Sequence, residues 1–275
     1  MQSIQVPPCS AVYGPVKSWR FGRSLGIDPI GSISTCSFNC VYCQLGEIEQ
    51  VSLERRVFVP TTQIVHELQA FAPWTVDVIT LSGSGEPTLA LNLAEILTTV
   101  KTLTDRPLVV LTNGTLLNDG AVREALALAD QVAVKLDAVT PEQLRRVNRP
   151  LEGIHLSEIL AGLQRFRHDY PQQFLAIQTM LLSRWDETAQ ATYMRWMQAL
   201  SPDEIQLNTP TRPKPLTHHL EGRGNHPWES QQQTPAVPVQ KLKCVSAATL
   251  QEFAAHIQQT IGIPVRYPPS GDHHV

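Results

Sequence analysis

Cys36-Ser37-Phe38-Asn39-Cys40-Val41-Tyr42-Cys43 packs three thiols into eight residues. The spacing offers three thiolates to one metal centre and withholds a fourth. Four-iron Fe–S clusters are normally closed by four Cys thiolates, so a cluster held by three leaves one iron open to an exogenous ligand. Structural zinc is the competing reading, yet such zinc is almost always four-coordinate and would want a second ligand pair at matching spacing. Cys9 and Cys244 stand alone, and His66, His155 and His168 are scattered among apparent helices. A disulfide framework fits five cysteines poorly, because the count is odd and nothing marks the chain as secreted.

Working outward from the cysteines, apolar β-rich runs alternate with helical periodicity, the signature of βα units around a parallel sheet. Six strands are predicted. Ile30 to Thr35 leads into the cysteine loop, and Val76 to Leu81, Pro107 to Thr112, Val132 to Asp137, Phe174 to Leu182 and Glu204 to Asn208 follow. Between them Thr62 can cap a helix with Ile64, Val65, Leu68 and Phe71 inward, and Asn92 with Glu95 has capping-box spacing. Thr140-Pro141 puts a capping residue before a proline at the first helical position. Leu156 to His168 and Glu187 to Leu200 complete the set. The fold class is therefore α/β, an incomplete (β/α)6 TIM-like barrel. Four stretches are expected: an N-terminal extension at 1–29, the core barrel at 30–210, an extended Pro/Gln-rich loop at 211–240 around Gln231-Gln232-Gln233, and a C-terminal helix and strand at 241–275 packing on the barrel. In that last stretch the helix is Ala248 to Thr260 and the strand Ile263 to Tyr267.

Among the 275 residues, 42% hydrophobic content can fill a core and 17% charged argues against wholesale disorder. No run of 18 apolar residues occurs and the N-terminus has no basic n-region, so a soluble cytoplasmic protein with no membrane partner is expected. The net charge of −3 gives no global attraction to nucleic acid, leaving only a local patch to serve that purpose.

In a barrel of this kind the chemistry sits at the C-terminal ends of the strands. After the second strand comes Ser82-Gly83-Ser84-Gly85-Glu86-Pro87-Thr88, whose glycines let backbone approach a ligand while Glu86 supplies a carboxylate. Read blandly, this is a Gly-rich turn. The third strand ends at Thr112-Asn113-Gly114, which is a turn or a ligand contact. On the fourth, Val132, Val134 and Leu136 alternate with Ala133, Lys135 and Asp137, so the two charges should face the lumen, as a structural pair or as ligand contacts. Gln178, Thr179, Asn208 and Thr209 are polar insertions at the ends of the last two strands.

The C-x3-C-x2-C pattern, Gly26-Ile27-Asp28-Pro29 ahead of it, Gln44 behind it and the Ser-Gly-Glu-Pro-Thr segment together resemble the radical S-adenosylmethionine (SAM) superfamily. Gly14 to Arg20, Ser24 to Ile27, Lys135-Leu136-Asp137-Ala138, Asn148-Arg149-Pro150 and Gln206 to Pro210 narrow it. They are similar to an Fe–S oxidoreductase subfamily related to the wyosine-type tRNA-modifying synthases, over roughly residues 11 to 215. Trp19, Phe21 and Thr35 depart from basic residues common in that subfamily.

The resemblance implies a [4Fe–4S] cluster on Cys36, Cys40 and Cys43 with SAM chelated to its free iron. It implies SAM contacts from Ser84, Gly85, Glu86, Asn113, Lys135 and Asp137, with Tyr42 packing on the adenine. One electron, from a donor such as flavodoxin or ferredoxin, would split SAM to a 5′-deoxyadenosyl radical that abstracts hydrogen from a substrate. A large substrate, RNA such as tRNA or a protein, is suggested, with Lys17, Arg20, Arg23, Arg145, Arg146 and Arg149 as a phosphate-contacting rim or, equally, as solvated helix faces. The alternatives are an activase that acts on a glycine of a partner protein and, in another class, a non-catalytic Fe–S or zinc module.

Overall fold

Aliphatic runs separated by amphipathic helices pair side by side in the order in which the chain makes them. The computed structural model describes residues 10–224 and 237–269; Cys9 and the Gln231-Gln232-Gln233 run lie outside them. One sheet holds eight strands in sequence order: β1 (Val12–Ser18), β2 (Gly22–Ile27), β3 (Val78–Leu81), β4 (Leu108–Thr112), β5 (Gln131–Lys135), β6 (Phe174–Met180), β7 (Glu204–Asn208) and β8 (Val265–Arg266). Only β1 runs antiparallel; β2 to β8 form a continuous parallel array. The helices are α1 (Thr61–Gln69), α2 (Leu93–Thr104), α3 (Gly120–Leu126), α4 (Pro141–Val147), α5 (Leu156–Asp169), α6 (Glu187–Leu200) and α7 (Ala247–Ile261). Six βα units from β2 to β7 make the incomplete barrel, and β8 continues its edge beside β7.

The first strand of the repeat is Gly22–Ile27, not Ile30 to Thr35. Turn chemistry decides this. Asp28 accepts the backbone N–H of Ile30 and Gly31 at 3.0 and 3.1 Å, and Gly31 sits at φ +89°, so the chain leaves the sheet immediately after Ile27. Only Thr35–Cys36 is extended, in a two-residue ladder with Gln50–Val51 across the cysteine loop. Residues 10–29 accordingly contribute a hairpin to the sheet.

Thr140 caps α4 by accepting the Gln143 N–H, with Pro141 behind it as the first helical residue. The Asn92–Glu95 capping box does not form. Asn92 instead donates its amide to the Val59 carbonyl and the Thr61 hydroxyl, joining α2 to the start of α1, and Thr62 lies inside α1 behind Pro60.

Val132 and Val134 are fully buried in the aliphatic core, while the opposite face of the sheet is polar. Lys135, Gln178 and Gln206 are in register across β5, β6 and β7, and Gln178 donates to Gln206 at 2.8 Å. A closed barrel would bury this face completely; here β1 and β8 remain edges. The Arg266 guanidinium, donating to the Trp19 carbonyl at 3.0 Å, draws the β1–β2 turn toward β8. No described helix is long and apolar enough to cross a membrane.

Candidate functional site

The loop from β2 to α1 carries the three cysteines, and it is hung on the end of α4 by its backbone. Val41 donates to the Val147 carbonyl at 2.9 Å, Asn39 to Asn148 and Arg149, and Leu151 returns a bond to Ser37. Phe38 anchors it in the core. A second segment covers it: a Cβ on Gly46 would lie 2.2 Å from the Thr217 carbonyl, one on Gly222 would lie 2.0 Å from that of Gln44, and Lys214 pairs with Glu47 at 2.5 Å. The stretch after β7 thus packs directly on the cysteine loop.

Cys36, Cys40 and Cys43 are unpaired, half-buried, and line one cavity of about 370 Å³ at the C-terminal ends of the strands. Burial raises all three thiols, Cys40 to about 12, with Glu86 adding to the shift at Cys36 and Asp137 at Cys40. Two side-chain amides reach the sulfurs. Asn113 Nδ2 lies 3.6 Å from Cys36 Sγ and Asn148 Nδ2 lies 3.5 Å from Cys40 Sγ. Hydrogen bonds to ligating sulfur tune a cluster's potential, so these amides fit an Fe–S centre. Among the described residues no three His, Cys, Asp or Glu side chains gather as ligands of a single ion. All three cysteines line the cavity wall, and Cys244 is exposed outside it.

Glu86, almost wholly buried, faces the same cavity. Its Oε1 accepts from Thr88 N, Thr88 Oγ1 and Thr112 Oγ1, its Oε2 from the Asn113 N–H at 2.7 Å. Burial raises this carboxyl, and the four donors oppose the rise. Oε2 keeps the freer lone pair for a ligand donor.

Gly85 is needed for a steric reason. A Cβ there would lie 1.8 Å from the Thr35 carbonyl, the oxygen that also accepts the Glu86 N–H at 3.0 Å. Gly85→Ala is expected to push the Glu86 turn off the cysteine loop and destabilise the fold by about 2 kcal/mol or more. At this chain length that lowers Tm by roughly 4–8 °C in a thermal melt; an unchanged melt would remove the steric argument.

Of the other residues singled out in the sequence, Tyr42, Asn113 and Lys135 stand on the cavity wall, with the Lys135 ammonium 5.0 Å from the Tyr42 ring centroid. Ser84 and Asp137 stand behind it. Ser84 bonds to Asp28 and the Gly31 carbonyl, locking the Gly-rich turn to the start of the cysteine loop. Asp137 accepts from the Tyr42 hydroxyl, from Asn148 Nδ2 at 2.8 Å and from the Met180 N–H at 2.7 Å, and it pairs with Lys135 at 3.2 Å. It fixes the groups that do face the cavity. Gln178, Asn208 and Thr209 also line the wall.

Sequence reasoning missed Arg212 on this wall, although a basic residue just past a strand end was a usable signal. It also missed Asp28 as the hub joining Ser84, Ile30, Gly31 and Arg223. The basic residues expected to form one rim are divided: Arg20 lines the central cavity, whereas Arg145 lines a groove with Leu156 and Trp196.

Residues 30–187 match the profile of the radical SAM superfamily. A UPF0026 protein of Synechocystis sp. is 58% identical over 94% of this chain and 96% of its own length. A UPF0026 protein of Methanocaldococcus jannaschii is 33% identical over 73% of this chain and 64% of its own. Among solved structures, Streptococcus suis SuiB bound to S-adenosylmethionine superposes with a TM-score of 0.60 at 12% identity, covering 86% of this chain. This chain spans 49% of the length of SuiB, and the likeness is one of fold.

Proposed function

The chain belongs to the radical SAM superfamily and, within it, to the UPF0026 proteins, and on that premise we propose a SAM-dependent radical enzyme that abstracts hydrogen from a substrate held in the barrel lumen. The superfamily's cofactors are a [4Fe–4S] cluster and SAM. When bound and supplied with one electron, they would provide reductive cleavage of SAM into methionine and a 5′-deoxyadenosyl radical. The observation that carries the reading is convergence: three unpaired cysteines, a buried carboxylate and two cavity-facing polar side chains from different strand ends share one cavity.

In this reading Cys36, Cys40 and Cys43 hold the cluster. Glu86 Oε2 accepts from the amino group of SAM, and the Asn113 amide, oriented by its bonds to Thr115 and Ser37, borders the same ligand. The Tyr42 ring, fixed through its hydroxyl by Asp137, would pack on the adenine, and the Lys135 ammonium lies over the ring. The packing of Lys214 to Gly222 on the cysteine loop excludes water and oxygen. A purely structural Fe–S or zinc module has no use for a carboxylate beside such a cavity. Flavodoxin or ferredoxin would serve as electron donor.

Anaerobically reconstituted protein, given SAM and dithionite, is expected to form 5′-deoxyadenosine and methionine in equal amounts, measured by liquid chromatography. Protein with a full complement of iron and sulfide that cleaves no SAM would overturn the proposal.

A further inference from the structure

Three inward-lying cations among the described residues have carboxylate partners. Arg223 pairs with Asp28 at 2.7 Å, Lys214 with Glu47 at 2.5 Å and Lys135 with Asp137 at 3.2 Å. Arg20, in the turn between β1 and β2, has none among the described residues. Its Nε is shut off from solvent without a hydrogen-bond partner, and its guanidinium lies 4.4 Å from the centroid of the Trp19 ring. The charges near it have its own sign. Burial first, then Arg266 and Arg212, depress the Arg20 guanidinium to about 10.

Arg266 is committed elsewhere, to Glu204 at 3.5 Å and to the Trp19 carbonyl at 3.0 Å, and the latter bond holds the turn that carries Arg20. Arg212, just beyond the end of β7, shares the cavity wall with Arg20, and burial lowers its guanidinium too. An uncompensated buried charge is costly, and folds keep one chiefly where a ligand of opposite sign completes it. The two arginines approach from the open side of the barrel, where the edges β1 and β8 come together through Arg266 and Trp19. A second cavity, lined by residues that include Tyr13, Ser24, Thr80 and Arg223, shares Arg20, Ser82 and Leu111 with the first.

We infer that Arg20 and Arg212 form an oxyanion subsite in the barrel lumen that takes a phosphate or carboxylate group of the substrate. The inference rests on the radical SAM reading for the identity of the cavity and deepens it by naming the substrate's chemistry. Planar guanidinium groups bind both oxyanions through paired N–H donors, so geometry alone selects the class and the titration selects the member. The carboxylate of SAM is the other oxyanion available to this cavity, and the experiment separates it from a substrate group.

Cluster-loaded protein saturated with SAM is titrated anaerobically with pyrophosphate and, separately, with citrate, using wild type, Arg20→Gln, Arg212→Gln and the control Arg195→Gln, an exposed residue of α6. Wild type and the control are expected to bind one probe at least roughly tenfold more tightly than either lumen variant, with SAM affinity within about twofold in all four. In melts without probe, Arg20→Met is expected to unfold at a higher temperature than wild type, because it removes the unpaired cation. The bound probe should raise the melting temperature of wild type and leave Arg20→Met unmoved. Failure of both probes to bind wild type, equal binding by Arg20→Gln, or SAM affinity falling in step with probe affinity would overturn the inference. SAM cleavage by wild type without probe distinguishes the two levels: cleavage with no probe binding sinks only the oxyanion subsite, whereas no cleavage sinks the enzyme reading beneath it.

Discussion

Replacing any one of Cys36, Cys40 and Cys43 with alanine is expected to abolish four-iron cluster content and all 5′-deoxyadenosine formation, while Cys244→Ala leaves both unchanged. The loop supplies three sulfurs to one cavity wall, and no other described cysteine lies on that wall. Losing one thiolate leaves two irons uncovered in a site whose fourth position is reserved for SAM. Iron and sulfide analysis of anaerobically reconstituted variants checks it. Normal iron in all three variants, or stoichiometric zinc in native protein, would refute the assignment.

Loading should also depend on pH. Burial holds Cys36, Cys40 and Cys43 above the ordinary thiol range, so the unloaded loop carries thiols at neutral pH and must release protons as iron binds. Iron incorporation is expected to rise with pH. The raised folded values favour the apo fold fully below the unfolded thiol value of about 8.5, and this stabilisation is lost as pH climbs through the folded values, near 12 for Cys40.

The βα repeat was legible because each aliphatic run is bounded by turn residues, and α6 falls at Glu187–Leu200 as its apolar spacing predicts. The first strand was misplaced because Ser24-Leu25-Gly26-Ile27 and Ile30 to Thr35 each carry two apolar residues and one glycine, so pattern alone does not separate them. What decides between them is Asp28 bonding to its own downstream backbone, and a side chain's hydrogen-bond partner is not a property of spacing. Lys135 and Asp137 show the same limit. Alternation correctly set both apart from the Val face, but the strand ends at Lys135, and beyond it Asp137 turns behind Tyr42 to meet Asn148 and the Met180 N–H. In the sequence Arg20 was a candidate for a phosphate-contacting rim. Its position in the lumen depends on the β1–β2 turn packing toward β8, a contact between residues 19 and 266 that no local pattern contains.

Glu86→Gln is expected to weaken SAM binding roughly tenfold to a hundredfold while leaving iron and sulfide content intact. The carboxylate's Oε2 faces the cavity with one acceptor bond already made, to the Asn113 N–H, so a ligand amino group can donate to it without displacing the turn. A hydrogen bond to an ionised carboxylate is worth about 1.5–3 kcal/mol, which sets that range. Glutamine keeps the shape and one acceptor, making it a gentler probe than alanine in a site with three donors on Oε1. The pH dependence supplies a second readout. Burial raises the Glu86 carboxyl, so the folded chain holds this proton more tightly than the unfolded one. Its contribution to stability is present in full below the unfolded value of about 4.3 and is lost as pH rises through the higher folded value. SAM affinity runs the opposite way, because only the ionised group accepts strongly. Wild-type affinity should climb through the folded value, and that of Glu86→Gln should stay flat over the same interval. Isothermal titration of both cluster-loaded proteins from the ordinary carboxylate range upward decides it: parallel curves would leave Glu86 as an internal latch for Thr88, the Thr112 hydroxyl and the Asn113 N–H, with no part in holding SAM.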